Sequence, residues 1–552
     1  MCFLGLVLPW SALAPAADLP GTVQPGQIEQ QFTPEPKIRA GRPARIGVPE
    51  LDQPVPSEAK DIRFRLTKII IEGVTVYPEG ELLSTYQNLL NKEILLSEIY
   101  QLASSLTTKY RNDGYILSCV IVPVQVIESG EVRLRAIEGY VTSVTVEGVD
   151  CDWRKLVEHY AEEIKKSRPL KNTVLERYLL LMNDLPGSFA QATIKPSQSE
   201  PGASEMTVQY TQHKVQGGLY ADNRGGESLG PMRISGDLTF NSLLGLQEST
   251  TLRLVSSGNG RLKCGFLEHE ENIGPDGGTL NLSASVVRAE PKEMLFIPLD
   301  LETSSETYKV AYDYPLIRSR SENLFVRCSF YGHNGKTEIF GIEDTRDRIR
   351  AFQLGATYDR ADALHGINIL DIELTQGIDG LGSSDNDDMM LSRQSGRVDF
   401  TKAKLYAARL QSFTTQWSVL AAVNGQYAWT DLLSSELYSF GGEPFGRGYD
   451  PSELVGDHGV AGKLEVRFTD TFTRGFPFSY TIYGFYDVGI VYQRTPIGVD
   501  RSESAASTGL GLRVNLGQYV SCYAEVAKPL TRDVSAEENR DARGYGGISI
   551  SF

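Results

Sequence analysis

The sequence predicts two small α+β modules followed by a transmembrane antiparallel β-barrel of about 16 strands. Three observations carry this. From about Lys214 to the C-terminus, apolar and polar residues alternate with a period of two. Ahead of that stretch a β-α-α-β-β order occurs twice. Beyond the first residues no apolar run approaches the roughly 20 residues that a membrane helix needs. The 552-residue chain has a net charge of −16, which argues against nucleic acid as a partner. Its 53 glycines and 26 tyrosines suit many hairpins with aromatic edges better than a helical enzyme.

Residues 1–17 hold an apolar core, Phe3-Leu4-Gly5-Leu6-Val7-Leu8, followed by Ser11-Ala12-Leu13-Ala14-Pro15-Ala16. This is the pattern of a secretory signal peptide cleaved after Ala16 or Ala17. Residues 18–60 are rich in proline and read as an extended tether. Only Gln27 to Phe32, with Ile28 and Phe32 as its apolar residues, has the composition of a short helix.

The first module, residues 61–140, begins with a strand at Arg65–Ile71. A short helix follows over Glu81–Leu90, then a second from an N-cap at Ser97 with Ile99, Leu102, Leu106 and Tyr110 on one face. Strands at Ile116–Ile127 and Glu131–Ile137 close it. The second module, residues 141–213, repeats the order. A strand at Val141–Val149 ends in the same Glu-Gly-Val. Asp152 caps a helix that turns Trp153, Leu156, Val157, Tyr160 and Ile164 inward. Thr173 and Glu176 form a capping box for a second helix, stopped by Pro186-Gly187. Strands at Phe189–Lys195 and Met206–Thr211 complete it.

In the remainder, residues 214–552, each strand keeps its charges on one face. Val460, Leu464, Val466 and Phe468 enclose Lys463, Glu465 and Arg467; Leu510, Leu512, Val514 and Leu516 enclose Arg513. One face suits lipid and the other a lumen, because a charge facing hydrocarbon is prohibitive. Trp417, Trp429, Tyr480 and Tyr492 fall near strand ends, where aromatic girdles sit, and strands of about 9–11 residues fit a bilayer. The polar stretch 379–388 reads as a long loop. Cys328 and Cys522 fall on the lipid face, and the cysteine spacings imply neither a disulfide framework nor a metal site. The six histidines are scattered, and no nucleophile elbow, zinc-protease motif or phosphate loop is present, so the residues point to no enzyme and no cofactor.

One loop stands apart. Phe440-Gly441-Gly442-Glu443-Pro444-Phe445-Gly446-Arg447-Gly448-Tyr449-Asp450 holds four glycines, a proline and a single cation. Some 40 residues on, in Phe485-Tyr486-Asp487-Val488-Gly489, parity puts Phe485, Asp487 and Gly489 on the lumen face. Arg447 and Asp487 are thus matched for a charge-assisted, bidentate pair. Arg513 faces the lumen too, outside both segments.

The order of signal peptide, proline-rich tether, two β-α-α-β-β modules and barrel resembles the outer-membrane transporters of two-partner secretion, the ShlB/FhaC/HecB family, whose modules are POTRA domains. Gly446-Arg447-Gly448-Tyr449 is similar to that family's loop motif, with glycine where a branched aliphatic is usual. Phe485, Asp487 and Gly489 are similar to its barrel-wall motif, and Gly456-Asp457-His458-Gly459 with Glu465 to the strand between. The resemblance implies periplasmic POTRA modules that capture an unfolded exoprotein such as an adhesin or haemolysin. It also implies a pore plug at Ile28 to Phe32 and passage of the client through the barrel. The terminal Phe552 resembles the signal read by the outer-membrane assembly machinery. Two other readings of the same architecture stay open: an assembly factor of the same superfamily, which usually carries more POTRA modules, and a passive pore.

Overall fold

The computed structural model describes residues 20–33, 35–36, 38–40, 46–47, 53–78, 80–148, 154–197, 200–292, 299–475, 477–496 and 500–552. The expected signal peptide, and Asp152 and Trp153 of the second module, lie outside the described residues. Among the described residues no helix is long and apolar enough to cross a membrane; the strands make that crossing.

From Val215 onward, sixteen antiparallel strands close a barrel in chain order, Val215–Asp222 first and Arg543–Ser551 last. These two pair from Gly218 opposite Ser551 to Asp222 opposite Gly547. Gly217 and the terminal Phe552 extend the seam by exchanging backbone hydrogen bonds at 3.0 Å. Closure leaves no strand edge unpaired in hydrocarbon, the condition a sheet must meet to span a bilayer. Along Phe478–Tyr492, Ile482, Tyr486, Val488 and Tyr492 are exposed on the outside. Tyr483, Phe485, Asp487 and Val491 alternate with them and are buried within. Cys328 is exposed on the outer face and Cys522 is partly so.

Several strands exceed the bilayer-length expectation, among them three of 15 residues, and three run furthest beyond it. Glu302–Arg318, Glu322–Ile339 and Ile342–Ala361 have 17, 18 and 20 residues. The last two are joined through Phe340 and Gly341, both at positive φ. A two-residue turn of this kind matches strand twist, so pairing runs on past the membrane boundary instead of opening into a loop.

Both modules hang from the rim where Val215 begins. In the first, the expected opening strand is two: Arg63–Arg65 pairs with Glu93–Leu95, and Lys68–Glu72 runs parallel to Glu131–Ile137. The chain changes partner at Leu66, which bonds to Lys92 and Asn91, and Thr67, which bonds to Gly130. The first helix is only Leu83–Tyr86 followed by a 3-10 turn at Gln87–Leu89. The long helix spans Leu96–Asn112, so Ser97 lies inside it and is not the cap. The Glu98 carboxylate accepts from the Leu95 N–H at 3.0 Å instead. The strand expected over 116–127 is confined to Cys119–Ile121. Pro123 has no N–H for a ladder. Beyond it the Gln125 side chain substitutes for backbone, donating to Arg133 O at 2.7 Å and accepting from Arg133 N at 2.8 Å.

Glu138 ties this module together. Its carboxylate accepts from the Thr75 N–H at 2.7 Å, the Val76 N–H at 3.1 Å and the Tyr110 hydroxyl at 2.9 Å, and from the Thr75 hydroxyl. Partial burial pushes its pKa up, but these donors outweigh it and hold the carboxyl below the usual 4.5. A depressed folded-state pKa gives stability that is present above the unfolded value and lost as pH falls through the folded one. Glu138→Ala is expected to destabilise the module by about 1–2 kcal/mol at neutral pH, and by less below pH ~4. Urea denaturation at the two pH values checks this.

The second module packs the helices Arg154–Lys166 and Asn172–Asp184 on a sheet of Ser188–Pro196, Ala203–Gln212 and Tyr140–Glu147. The expected Thr173 capping box is absent: the helix starts at Asn172, with Lys171 before it and no side-chain cap, and Asn172 bonds to Glu176 at 2.9 Å. At the open edge of this sheet the tether residues Ile46–Gly47 add a short parallel strand against Ser188–Pro196. The module is fixed to the barrel rim by Arg318, whose Nε and Nη2 donate to the two Asp184 carboxylate oxygens at 2.6 and 2.8 Å.

Candidate functional site in the barrel lumen

The 429–457 connection folds back into the lumen. Tyr438–Phe440 and Leu454–Gly456 pair as a hairpin that presents the glycine-rich tip to the wall. The tip is held in shape by Gly441 N–H to Phe445 O at 2.9 Å and Tyr449 N–H to Gly446 O at 2.9 Å. Gly446 has φ +102° and lies against Phe440, whose ring would sit 2.8 Å from an added Cβ. The branched aliphatic usual in the similar motif therefore fits neither this backbone nor this space.

Arg447 lies at the centre and is buried. Its Nε donates to Asp487 Oδ2 and its Nη2 to Asp487 Oδ1, both at 2.9 Å. The Gly446 and Arg447 N–H groups donate to the same Oδ2 at 3.3 and 3.1 Å. Asp487, with no exposed surface, thus grips both side chain and backbone of the loop. Arg447 Nη1 also donates to Glu465 Oε2 at 2.5 Å and lies 3.8 Å from Glu525 Oε2. Its guanidinium stands over the Phe485 ring at 3.5 Å, a cation–π contact strengthened by exclusion of water. Gly448 N–H donates to Ser507 Oγ at 3.2 Å and the Tyr449 hydroxyl to Ala506 O at 3.0 Å.

Gly489 completes the seat. A Cβ on it would fall within the Phe440 ring, so only glycine admits the hairpin at this depth. Gly489→Val is expected to cost about 1–3 kcal/mol in loop docking by overpacking. Faster protease cleavage of the 440–450 segment in intact outer membranes would show it.

Sequence reasoning paired Arg447 with Asp487 and missed the rest of the network. Glu525 accepts from Arg224 Nη2 at 2.8 Å and from the Tyr483 hydroxyl at 2.7 Å. Glu465 also takes Arg467 at 2.7 Å and Arg513 at 3.0 Å. Arg513 is therefore part of the site, not apart from it. The signal was available for Glu525: it is an inward carboxylate flanked by the outward Ala524 and Val526, the same parity argument that found Asp487. Asp457, from the segment between the motifs, accepts from Arg393 Nη1 at 2.9 Å and from the Leu432 N–H at 2.8 Å, pinning a second loop to the hairpin base.

Alongside the hairpin, a helix at Pro25–Gln30 lies inside the lumen. Ile28 is fully buried among Leu229, Val255, Cys264 and Val287. Phe32 meets Phe266 with ring centroids 5.7 Å apart. Gln27 donates to the carbonyls of Ser434 at 2.8 Å and Leu437 at 3.2 Å, and Gln30 to that of Ser435 at 2.7 Å. Glu29 accepts from Thr307 Oγ1 at 2.8 Å and from Ser285. The tether then descends, Glu35 pairing with Lys463 at 2.8 Å and Arg39 stacking over Phe325 at 3.9 Å, to reach Asp359 near the rim that carries the modules.

Residues 202–514 match the family described as haemolysin secretion/activation protein ShlB/FhaC/HecB, and residues 64–139 match the ShlB-type POTRA domain. The heme/hemopexin transporter protein HuxB of Haemophilus influenzae is 23% identical over 488 residues, covering 86% of this chain and 85% of that one. Among solved structures, CdiB from Escherichia coli superposes with a TM-score of 0.72 at 18% identity, covering 92% of this chain and 94% of that one. CdiB from Acinetobacter baumannii gives 0.61 at 16%, covering 95% and 96%. The fold is shared throughout: POTRA domain, closed 16-strand barrel and their order. With the family match spanning more than half of its length, the chain belongs to the ShlB/FhaC/HecB family of haemolysin secretion/activation proteins, outer-membrane β-barrel transporters whose POTRA domains lie in the periplasm.

Proposed function

We propose that this chain carries an unfolded exoprotein, an adhesin- or haemolysin-like client, from the periplasm through its own barrel to the cell surface. The observation that carries this reading is how the lumen is filled. A 16-strand barrel is wide enough for an aqueous channel. Here it is occupied by a helix on a tether and by a hairpin anchored through one arginine, not by fixed wall. The helix can leave without breaking a pair of barrel strands. The relatives' names, heme/hemopexin transporter and hemolysin transporter, agree with cargo export.

In this reading residues 61–140 and 141–213 are the two periplasmic modules, 18–60 the plug and its tether, and 214–552 the barrel. The second sheet already accepts the extended segment Ile46–Gly47 at its edge, and a client strand could add there in the same way. Withdrawal of the Ile28–Phe32 plug opens the lumen. The Arg447 loop stays seated on Phe485, Asp487 and Gly489 and keeps the barrel wall in shape. Folding of the client outside the cell supplies direction, since no nucleotide is available at this membrane. Phe552 serves as the terminal signal for barrel assembly.

Deleting this gene in a strain that also encodes its exoprotein is the test. The exoprotein should vanish from the surface and accumulate, degraded, in the periplasm, while the other outer-membrane proteins keep their levels. A general fall in outer-membrane proteins would instead mark an assembly factor.

A further inference from the structure

At the rim opposite the POTRA modules, the outer face of the barrel carries a cleft of about 510 Å³. It lies between the ends of strands Trp417–Ala428, His458–Phe472 and Phe478–Tyr492, and its walls include Arg397, Trp429, His458, Tyr492, Arg494 and Arg501. Its floor is aromatic. Tyr427 stacks on His458 at 4.7 Å and meets Trp429 edge-on at 5.1 Å, and Tyr427, Trp429 and Tyr492 are all exposed on the outer face. Outward aromatics at a strand end mark the level of the lipid headgroups.

Three arginines converge above that floor on a chain whose net charge is −16. Only part of their hydrogen-bonding capacity is used. Arg494 Nε donates to Asp431 at 3.0 Å and its Nη1 to Ala428 O at 3.3 Å. Arg397 gives its Nε and Nη2 to Asp399 at 2.8 and 2.7 Å. Arg501 makes no ion pair among the described residues. Asp431, the acidic residue of the wall, is already engaged by Arg494 and by the Thr495 hydroxyl at 2.6 Å.

We propose that this cleft binds the phosphate-bearing head of an outer-leaflet glycolipid. Planar guanidinium forks suit phosphate oxygens, and the exposed aromatics below would lie against the top of the acyl chains. The position favours a lipid over a soluble anion, because Trp429 and Tyr492 of its lining, with Tyr427 beside them, are exposed aromatics at the strand ends. Such a bond would fix the vertical position of the loops that surround the pore mouth.

The test uses the full-length barrel in detergent, with purified bis-phosphorylated lipid A followed by native mass spectrometry. Arg494→Gln, Arg501→Gln and the double variant are compared with wild type after heat-modifiable migration shows that each barrel is folded. Arg501 stands outside any ion pair among the described residues, so its variant leaves the Asp431 contacts in place. Each substitution is expected to weaken lipid retention about tenfold, the loss of one charge-assisted contact. Dephosphorylated lipid should bind wild type no better than the phosphorylated lipid binds the double variant. Equal retention by wild type and the double variant, or of lipid with and without phosphate, would overturn the proposal. So would complete displacement of the lipid by millimolar inorganic phosphate, which would assign the cleft to a free anion.

Discussion

Arg447→Ala is expected to reduce secretion of the exoprotein to a small fraction of the wild-type level while the barrel still assembles. The substitution leaves Asp487 buried with no cation and strips Glu465 and Glu525 of their shared partner. Removing one member of a buried ion pair costs about 3–5 kcal/mol, mostly through the charge left behind. The hairpin tip, rather than the barrel, should take that loss, because the sixteen-strand ladder does not depend on it. Lysine should rescue poorly: it cannot give two parallel N–H bonds to Asp487 together with a third to Glu465. A neutral control must avoid Arg513, which bonds to Glu465 and lies 3.9 Å over the Tyr483 ring. Arg409 is suitable. It pairs with Asp362 in a partly exposed site, where such a contact is worth about 0–1 kcal/mol. Surface levels and secreted protein, measured on the same cells, decide the matter. Wild-type secretion by Arg447→Ala at equal surface level would make the loop a passive filler.

Deleting residues 18–35 is expected to raise single-channel conductance several-fold in planar bilayers while secretion largely survives. The deletion removes the α-helix that lies inside the barrel, together with Glu35. Its hold on the lumen is small in extent: Ile28 and Phe32 pack on the wall, two glutamines reach loop carbonyls, and Glu29 meets two hydroxyls beside His333. Bonds of this kind contribute about 1 kcal/mol each, enough to hold a short helix most of the time and weak enough to let it go. Gln27→Ala with Glu29→Ala should therefore give frequent transitions between a closed and an open level. Unchanged conductance after deletion would remove the plug role.

Period-two alternation made the barrel legible. It placed Phe485, Asp487 and Gly489 on the inner face from sequence alone, and the structure puts them there because a lumen charge has no alternative on a lipid-facing wall. What alternation could not supply was how many charges meet. Glu465 and Glu525 come from two different strands and Arg224 from the turn after the first barrel strand, far apart in sequence, and only barrel closure brings Arg224 beside Glu525. The module boundaries were less legible for local reasons. Ser97 looks like a cap, but the chain enters its helix directly from a strand, leaving Leu95 as the cap position. The run 116–127 is β-rich in composition, yet Pro123 ends its ladder and a glutamine side chain finishes the pairing. Gln27 and Glu29 gave no signal either, since polar residues on a six-residue helix read as solvent-facing until a lumen surrounds them.

The central claim is that an extended polypeptide passes through this lumen. A photo-crosslinking residue in place of Thr307, which lines the lumen beneath Glu29, tests it most directly when exoprotein export is arrested partway by a folded C-terminal fusion. Adducts between position 307 and the exoprotein, absent when the exoprotein is not expressed and absent from the outward-facing position Val310, are the predicted result. An exoprotein that reaches the surface while crosslinking to neither the lumen nor the POTRA modules would contradict the account.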